Sequence, residues 1–187
     1  MMQETKRGNS QSSLKSKNLQ NYQIFELNRQ KTKQEGGKGL RGGGLAIGAL
    51  HDVKPVLLRQ GDDDCECMSI QVQIGKVPIL CVAGYGPQAC DSLERKLNFW
   101  NFLDQEVQYA RDNEIGIVIE IDSNAWAGNH LIPNDPNSQN GNGKLLENFL
   151  QRNSNVIIVN SLSICNGLIT RKRKTEIRQE TSVLDLF

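Results

Sequence analysis

The sequence predicts an α/β domain of the α+β kind, in which β-sheets carry helices on their outer faces. Three stretches predict it. Met68–Ile74 alternates apolar and polar residues, Asp91–Glu114 repeats its apolar residues at helical spacing, and Ile115–Ile121 is a nearly continuous apolar run of strand length. The 17 glycines and 5% aromatic residues fit a loop-rich mixed domain better than a helical bundle. A chain of 187 residues makes one domain, 1–187, with a sizeable core.

The elements follow in order. Residues 7–21, rich in Ser, Asn, Gln and Lys, predict a loop or a weak helix. Lys31–Gly44 is a basic, glycine-dense hinge that ends at the apolar run Leu45–Leu50, a strand, with a short strand over Val56–Leu58. In Met68–Ile74, Met68, Ile70, Val72 and Ile74 share one face, opposite Ser69, Gln71 and Gln73. Gly75-Lys76 then turns the chain into Val77–Ala83, which predicts a hairpin. Asp91 can cap the helix to Glu114, with Glu94 at the third helical position and a stripe of Leu93, Leu97, Trp100, Leu103 or Asp104, Val107 and Ala110. The run Ile115–Ile121 does not alternate, so burial on both faces is expected. A polar loop, Asn129–Gly143, leads to a helix over Lys144–Arg152, and Val156–Val159, Leu168–Arg171 and Val183–Phe187 read as strands.

Composition excludes several function classes. A net charge of +1 gives no global pull toward polyanions, so any nucleic-acid binding must come from local clusters. The cysteines Cys65, Cys67, Cys81, Cys90 and Cys165 lack a zinc or disulfide-framework spacing and read as reduced thiols of an intracellular protein. Met1–Lys17 has no apolar core of a signal peptide, and no apolar run is long enough to span a bilayer.

The groups that could do chemistry stand where strands end. Asp122-Ser123-Asn124 follows the buried run. On an extended segment, residues two apart point to one side, so one pocket could receive a carboxylate that takes a proton from water and an amide that donates to a phosphate oxygen. The same three residues also make an ordinary turn. Tyr85 stands between Gly84 and Gly86, with Pro87 fixing the turn; it is equally read as a packed tyrosine. Glu4 lies in a polar stretch typical of solvated surface, and Asp185 is an acid inside an apolar strand, where burial demands a partner. Thr170-Arg171-Lys172-Arg173-Lys174 is a basic run that could rim a phosphate site, serve as a nuclear localisation signal or simply be solvated.

Taken in order, QETK, GGGLAI, YGPQ, IDSNA, ITRKR and SVLDLF resemble the endonuclease/exonuclease/phosphatase family from Gln3 to Phe187, and most of all the endonuclease domains of non-LTR retrotransposons, which are similar to apurinic endonucleases. The resemblance implies a four-layer sandwich, two mixed β-sheets face to face with helices on the outer faces. Against that fold the chain is expected to lack the first and last core strands. It starts at the glutamate motif and stops before a Ser-Asp-His motif.

By the same resemblance Glu4 matches a metal-binding glutamate, Tyr85 a tyrosine near the scissile phosphate, and Asp122 the aspartate that orients or deprotonates water. Asn124 matches a phosphate-holding asparagine, Asp185 a strand aspartate, and Thr170 the start of a DNA-contacting strand that continues into Arg171, Lys172 and Arg173. The implied protein is a nuclear, Mg²⁺- or Mn²⁺-dependent phosphodiesterase, a hydrolase that nicks DNA. In the intact element it is fused to, or associated with, a reverse transcriptase. Two departures are plain: Ile121 stands where the family has glycine, and Gln88 where asparagine is more usual. The alternative reading is a catalytically inactive truncated remnant that binds nucleic acid or a protein partner. A phosphatase of inositol lipids or sphingomyelin is a third.

Overall fold

The computed structural model describes residues 19–28, 44–62, 64–126, 128–129, 138–159, 162, 171–174, 179–182 and 185–186. Along them run β1 (Tyr22–Asn28), β2 (Gly44–Leu50), β3 (Val56–Gln60), β4 (Cys67–Ile74), β5 (Val77–Tyr85), α1 (Leu93–Asp112), β6 (Gly116–Asp122), α2 (Gly141–Arg152), β7 (Arg171–Lys174), β8 (Gln179–Ser182) and β9 (Asp185–Leu186).

The main sheet grows from the predicted hairpin. Gly75, at φ +61, supplies the backbone reversal, and β4 pairs with β5 from Ile74↔Val77 to Cys67↔Gly84. β3 extends one side, and on the other α1 crosses over so that β6 pairs parallel to β5. With β9 the sheet runs β3-β4-β5-β6-β9, mixed in direction, while β1-β2 forms a separate antiparallel ribbon and β7-β8 another. The fold is an α/β sandwich. Leu27, Leu45 and Ile47 of the β1-β2 ribbon pack on Met68, Ile70, Val72 and Ala83, the inner face of the main sheet. On its outer face Cys67, Leu80, Val82 and Ile121 meet Phe99, Trp100, Leu103, Val107 and Ala110 of α1 and Leu146 and Phe149 of α2.

Several expectations are corrected. Strand β1 falls just beyond the predicted loop of residues 7–21 and was not foreseen. Its partner, β2, begins 16 positions later, paired Asn28↔Gly44, so no local turn announces it. The cap of α1 is Ser92, whose Oγ accepts from Arg95 N at 3.2 Å. Asp91 instead accepts from Gln88 N at 2.7 Å. The buried stripe of α1 runs Phe99, Trp100, Phe102, Leu103, Glu106, Val107, Ala110, while Leu93 and Leu97 are exposed.

β6 is not buried on both faces. Ile117, Ile119 and Ile121 face the helices, but Val118 is 55% exposed, because the β1-β2 ribbon packs on β4 and β5 and leaves a cleft lined by Ile47, Ala49, Val118 and Glu120. Helix α2 starts at Gly141 rather than Lys144, because Asn140 caps it. Residues 156–159 form no strand: Val156 and Ile158 pack against the helix layer while Ile157 is exposed. The basic residues Arg171–Lys174 are themselves strand β7, and Gln179–Ser182 is an unforeseen partner. Residues 168–170, 183, 184 and 187 of the two predicted late strands lie outside the described residues. No helix among the described residues is long and apolar enough to cross a membrane. Four cysteines, Cys65, Cys67, Cys81 and Cys90, are free thiols, and Cys165 lies outside the described residues.

Candidate functional site

Register, rather than sequence proximity, assembles the candidate site. The parallel β5–β6 ladder sets Tyr85 beside Asp122, and the antiparallel β6–β9 pair sets Asp122 beside Asp185. Three of the candidate residues therefore occupy one row across three neighbouring strands, at the end of β6 where the chain leaves the sheet. Tyr85 is the last residue of β5, held by its N–H donating to Glu66 O at 2.8 Å, and its hydroxyl accepts from Gln88 Nε2 at 3.0 Å. Gln88 thus has a local task, fixing the phenol.

The turn after β6 differs from the expected extended segment. Asn124 adopts φ +47, a left-handed conformation that asparagine tolerates better than most residues. Its N–H donates to Asp122 Oδ1 at 3.1 Å, an Asx turn, and Ala125 N donates to Ser123 Oγ at 3.3 Å. The turned backbone swings the Asn124 side chain across to the neighbouring loop, where Nδ2 donates to Gly86 O at 2.7 Å. Gly86 N in turn donates to Asp122 O at 2.6 Å. These bonds lock the loop after β5 to the loop after β6. One N–H of the Asn124 amide is used in this clasp; the other can donate to a ligand.

Two glycines make room for the arrangement. A Cβ at Gly86 would lie 2.6 Å from Ser123 O and 2.8 Å from Asp122 O, so only glycine permits the loops to touch. Ile121, the residue where glycine was expected, is 4% exposed inside β6, before the turn. Its bulk is accommodated by Gly84 across the ladder, where a Cβ would come within 3.0 Å of Ile121 Cγ2.

The N-terminus of α2 closes the site from a third side, which the sequence reading missed. Asn140 Oδ1 accepts from Gly143 N at 2.7 Å as the helix cap and from Trp126 N at 3.1 Å, while Asn140 Nδ2 donates to Asn124 O at 3.2 Å. Asn142, 2% exposed, donates through Nδ2 to Pro87 O at 2.7 Å and to Asn124 O at 3.2 Å. Asn140 carried a usable signal, an asparagine ahead of an amphipathic run. Asn142, one residue inside the helix, carried none, since its role depends on loops from two other strands.

Of the remaining predicted residues, Glu4 and Thr170 lie outside the described residues, and Arg171, Lys172 and Arg173 are placed in β7 by backbone alone. Among the described residues no group of three or more His, Cys, Asp or Glu stands ready to hold a metal ion. A separate acid, Glu106 of α1, is buried 3.2 Å from Arg59 Nε, and burial pushes its carboxyl above the ordinary range.

No family model matches the chain, and no curated protein matches it. Among solved structures the chain is similar to the endonuclease domain of TRAS1, a telomere-specific non-LTR retrotransposon, at 15% identity and a TM-score of 0.52 over 87% of this chain. It spans 65% of the length of that structure. At this identity the likeness is one of fold: the chain folds as an α/β sandwich resembling an endonuclease domain.

Proposed function

We propose that the chain is a metal-dependent phosphodiesterase, the DNA-nicking endonuclease module of a retroelement. The observation that carries this reading is the row Tyr85–Asp122–Asp185, clasped by Asn124 to the opposite loop. Asp122 orients or deprotonates the attacking water, the second N–H of Asn124 and the Tyr85 hydroxyl hold phosphate oxygens, and Arg171, Lys172 and Arg173 with Thr170 contact the DNA backbone.

A hard divalent cation, Mg²⁺ or Mn²⁺, fits the oxygen donors available. Such ions are held by one or two carboxylates and complete their shells with water and substrate phosphate. Asp122 and Asp185 occupy directly opposed register positions, which would bring two carboxylate-bearing residues to one ion. Glu4 is the further proposed ligand. The bound ion would neutralise charge developing on the phosphate oxygens. Fused to or partnered with a reverse transcriptase in the nucleus, the module would supply the nick that primes it.

Nicking of supercoiled plasmid with Mg²⁺ and with EDTA tests the proposal. Wild type should nick only with Mg²⁺, and Asp122→Ala should lower the rate by about 10²–10⁴-fold, the usual effect of losing a general base. Nicking that survives Asp122→Ala refutes the assignment. Salt-dependent DNA binding without any nicking would favour the second reading, an inactive nucleic-acid binder with the basic strand β7 as its contact.

A further inference from the structure

Trp126 lies at the end of the Asp122–Ala125 turn and is 43% exposed, although its backbone is fixed. Its N–H donates to Asn140 Oδ1 at 3.1 Å and its carbonyl accepts from Asn140 N at 3.2 Å. Gly143 packs so close beneath that a Cβ there would stand 2.0 Å from Trp126 O. Ala125, just before it, is buried at 1%. The first turn of α2 thus grips the peptide and leaves the indole outside. Among the described residues that ring stacks on no other aromatic. Exposed loop tips ordinarily carry small or polar residues. An indole left partly in water on a fixed backbone offers a flat face to a planar ligand, with only its own two side-chain torsions to order on binding.

The distance suits a nucleic acid. Trp126 stands four positions after Asp122, so the turn keeps the two within about 14 Å, no more than about four nucleotide steps at the ~3.4 Å rise of one DNA strand. We propose that Trp126 is a nucleobase platform: its face stacks on a base flanking the phosphodiester held at Tyr85, Asp122 and Asn124. Bases inside a duplex are already stacked on each other, so the preferred substrate has an unpaired or splayed base beside the cleavage point. Stacking tolerates every base, so the selection is for local DNA structure rather than for base identity. The inference rests on the phosphodiesterase reading and deepens it.

The chain has two tryptophans, and Trp100 is buried at 2% in the core, so quenchable emission reports on Trp126. The full chain is titrated with single-stranded DNA in EDTA, following tryptophan emission, iodide quenching and the anisotropy of the labelled strand. Binding should quench the emission and shield it from iodide. Trp126→Ala and Trp126→Leu should bind the single strand about 5- to 100-fold more weakly, from the usual value of one base stack. Trp126→Phe should stay within a few-fold of wild type. Binding by anisotropy with unchanged emission and iodide access, or with Trp126→Ala at wild-type affinity, overturns the platform and leaves the phosphodiesterase reading standing. If neither single-stranded nor duplex DNA binds, both fall together.

Discussion

Replacing Gly86 with alanine isolates the clasp between the two site loops. The added Cβ would sit 2.6 Å from Ser123 O, 2.7 Å from Ser123 C and 2.8 Å from Asp122 O, all backbone atoms that no rotamer change can move aside. Ordinary contact begins near 3.4 Å, so the loops must part by about 0.6–0.8 Å. That separation stretches the Gly86 N to Asp122 O bond from 2.6 Å past good geometry. Losing the bond costs about 0.5–1.5 kcal/mol, and the residual strain of overpacking about 1–3 kcal/mol. The sum, roughly 2–4 kcal/mol, corresponds to a Tm lower by about 5–15 °C for a domain of this size.

Two substitutions of the same kind serve as controls. At Gly116, the opposite end of β6, a Cβ meets nothing nearer than Ile79 Cγ1 at 4.0 Å, and at Gly141 it meets nothing within 4 Å. Both should be neutral or stabilising by up to about 1 kcal/mol. Thermal unfolding followed by circular dichroism compares the three. If Gly86→Ala melts with Gly116→Ala, the loops are not in the contact described, and the site geometry built on that contact is wrong. Where nicking is measurable, displacing the reacting groups by this distance should also slow it by about 10²-fold.

Two further predictions concern the scaffold. Asn140→Ala removes a helix cap and a partner of Trp126 N at once; it should destabilise by about 1.5–3 kcal/mol, more than Ser92→Ala, which removes a cap alone. Equal melting temperatures for the two variants would refute the double role. Burial raises the Glu106 pKa above its unfolded value, while Ser69 and Arg59 pull the other way. The folded chain therefore holds that proton more tightly, and this group's contribution is most favourable below the unfolded carboxylate pKa and declines as pH rises toward the raised one. Glu106→Gln should thus gain in Tm relative to wild type as pH rises above the ordinary carboxylate range. A difference that stays constant, or moves the other way, contradicts the assigned burial.

The sequence was most legible where structure is local. The β4–β5 hairpin and the presence and approximate span of α1 follow from alternation, Gly75-Lys76 and a 3.6-residue repeat, signals that need no knowledge of the rest of the chain. Errors arise where a distant partner decides. The apolar run of β6 predicts burial on both faces, but the exposure of Val118 is decided by the cleft between β6 and the β1-β2 ribbon, a neighbour distant in sequence. Val156 and Ile158 alternate as a strand would, yet they pack against the helix layer.

The site shows the same division. Tyr85 and Asp122 could be marked as strand-end groups, and the motif order brought in Asp185. Their shared row is a matter of register across strands. The left-handed turn at Asn124 and the grip of Asn142 on Pro87 depend on loops meeting in space. Nothing in a linear pattern records that meeting.

The parallel pairing of β5 with β6 also governs when the site can exist during folding. Hairpin β4–β5 and helix α1 form from near neighbours and can arise within microseconds. The Asn124–Gly86 clasp instead joins residues 38 apart in the chain, with all of α1 between them. Closing that loop is unfavourable until the stripe around Trp100 and Leu103 has docked on Leu80 and Val82. A nascent chain that has emerged only as far as α1 therefore carries Tyr85 on a finished strand but no clasp to hold the loop beyond it. Site formation coincides with closure of the domain, so a partly made chain carries the candidate residues without the cleft that joins them.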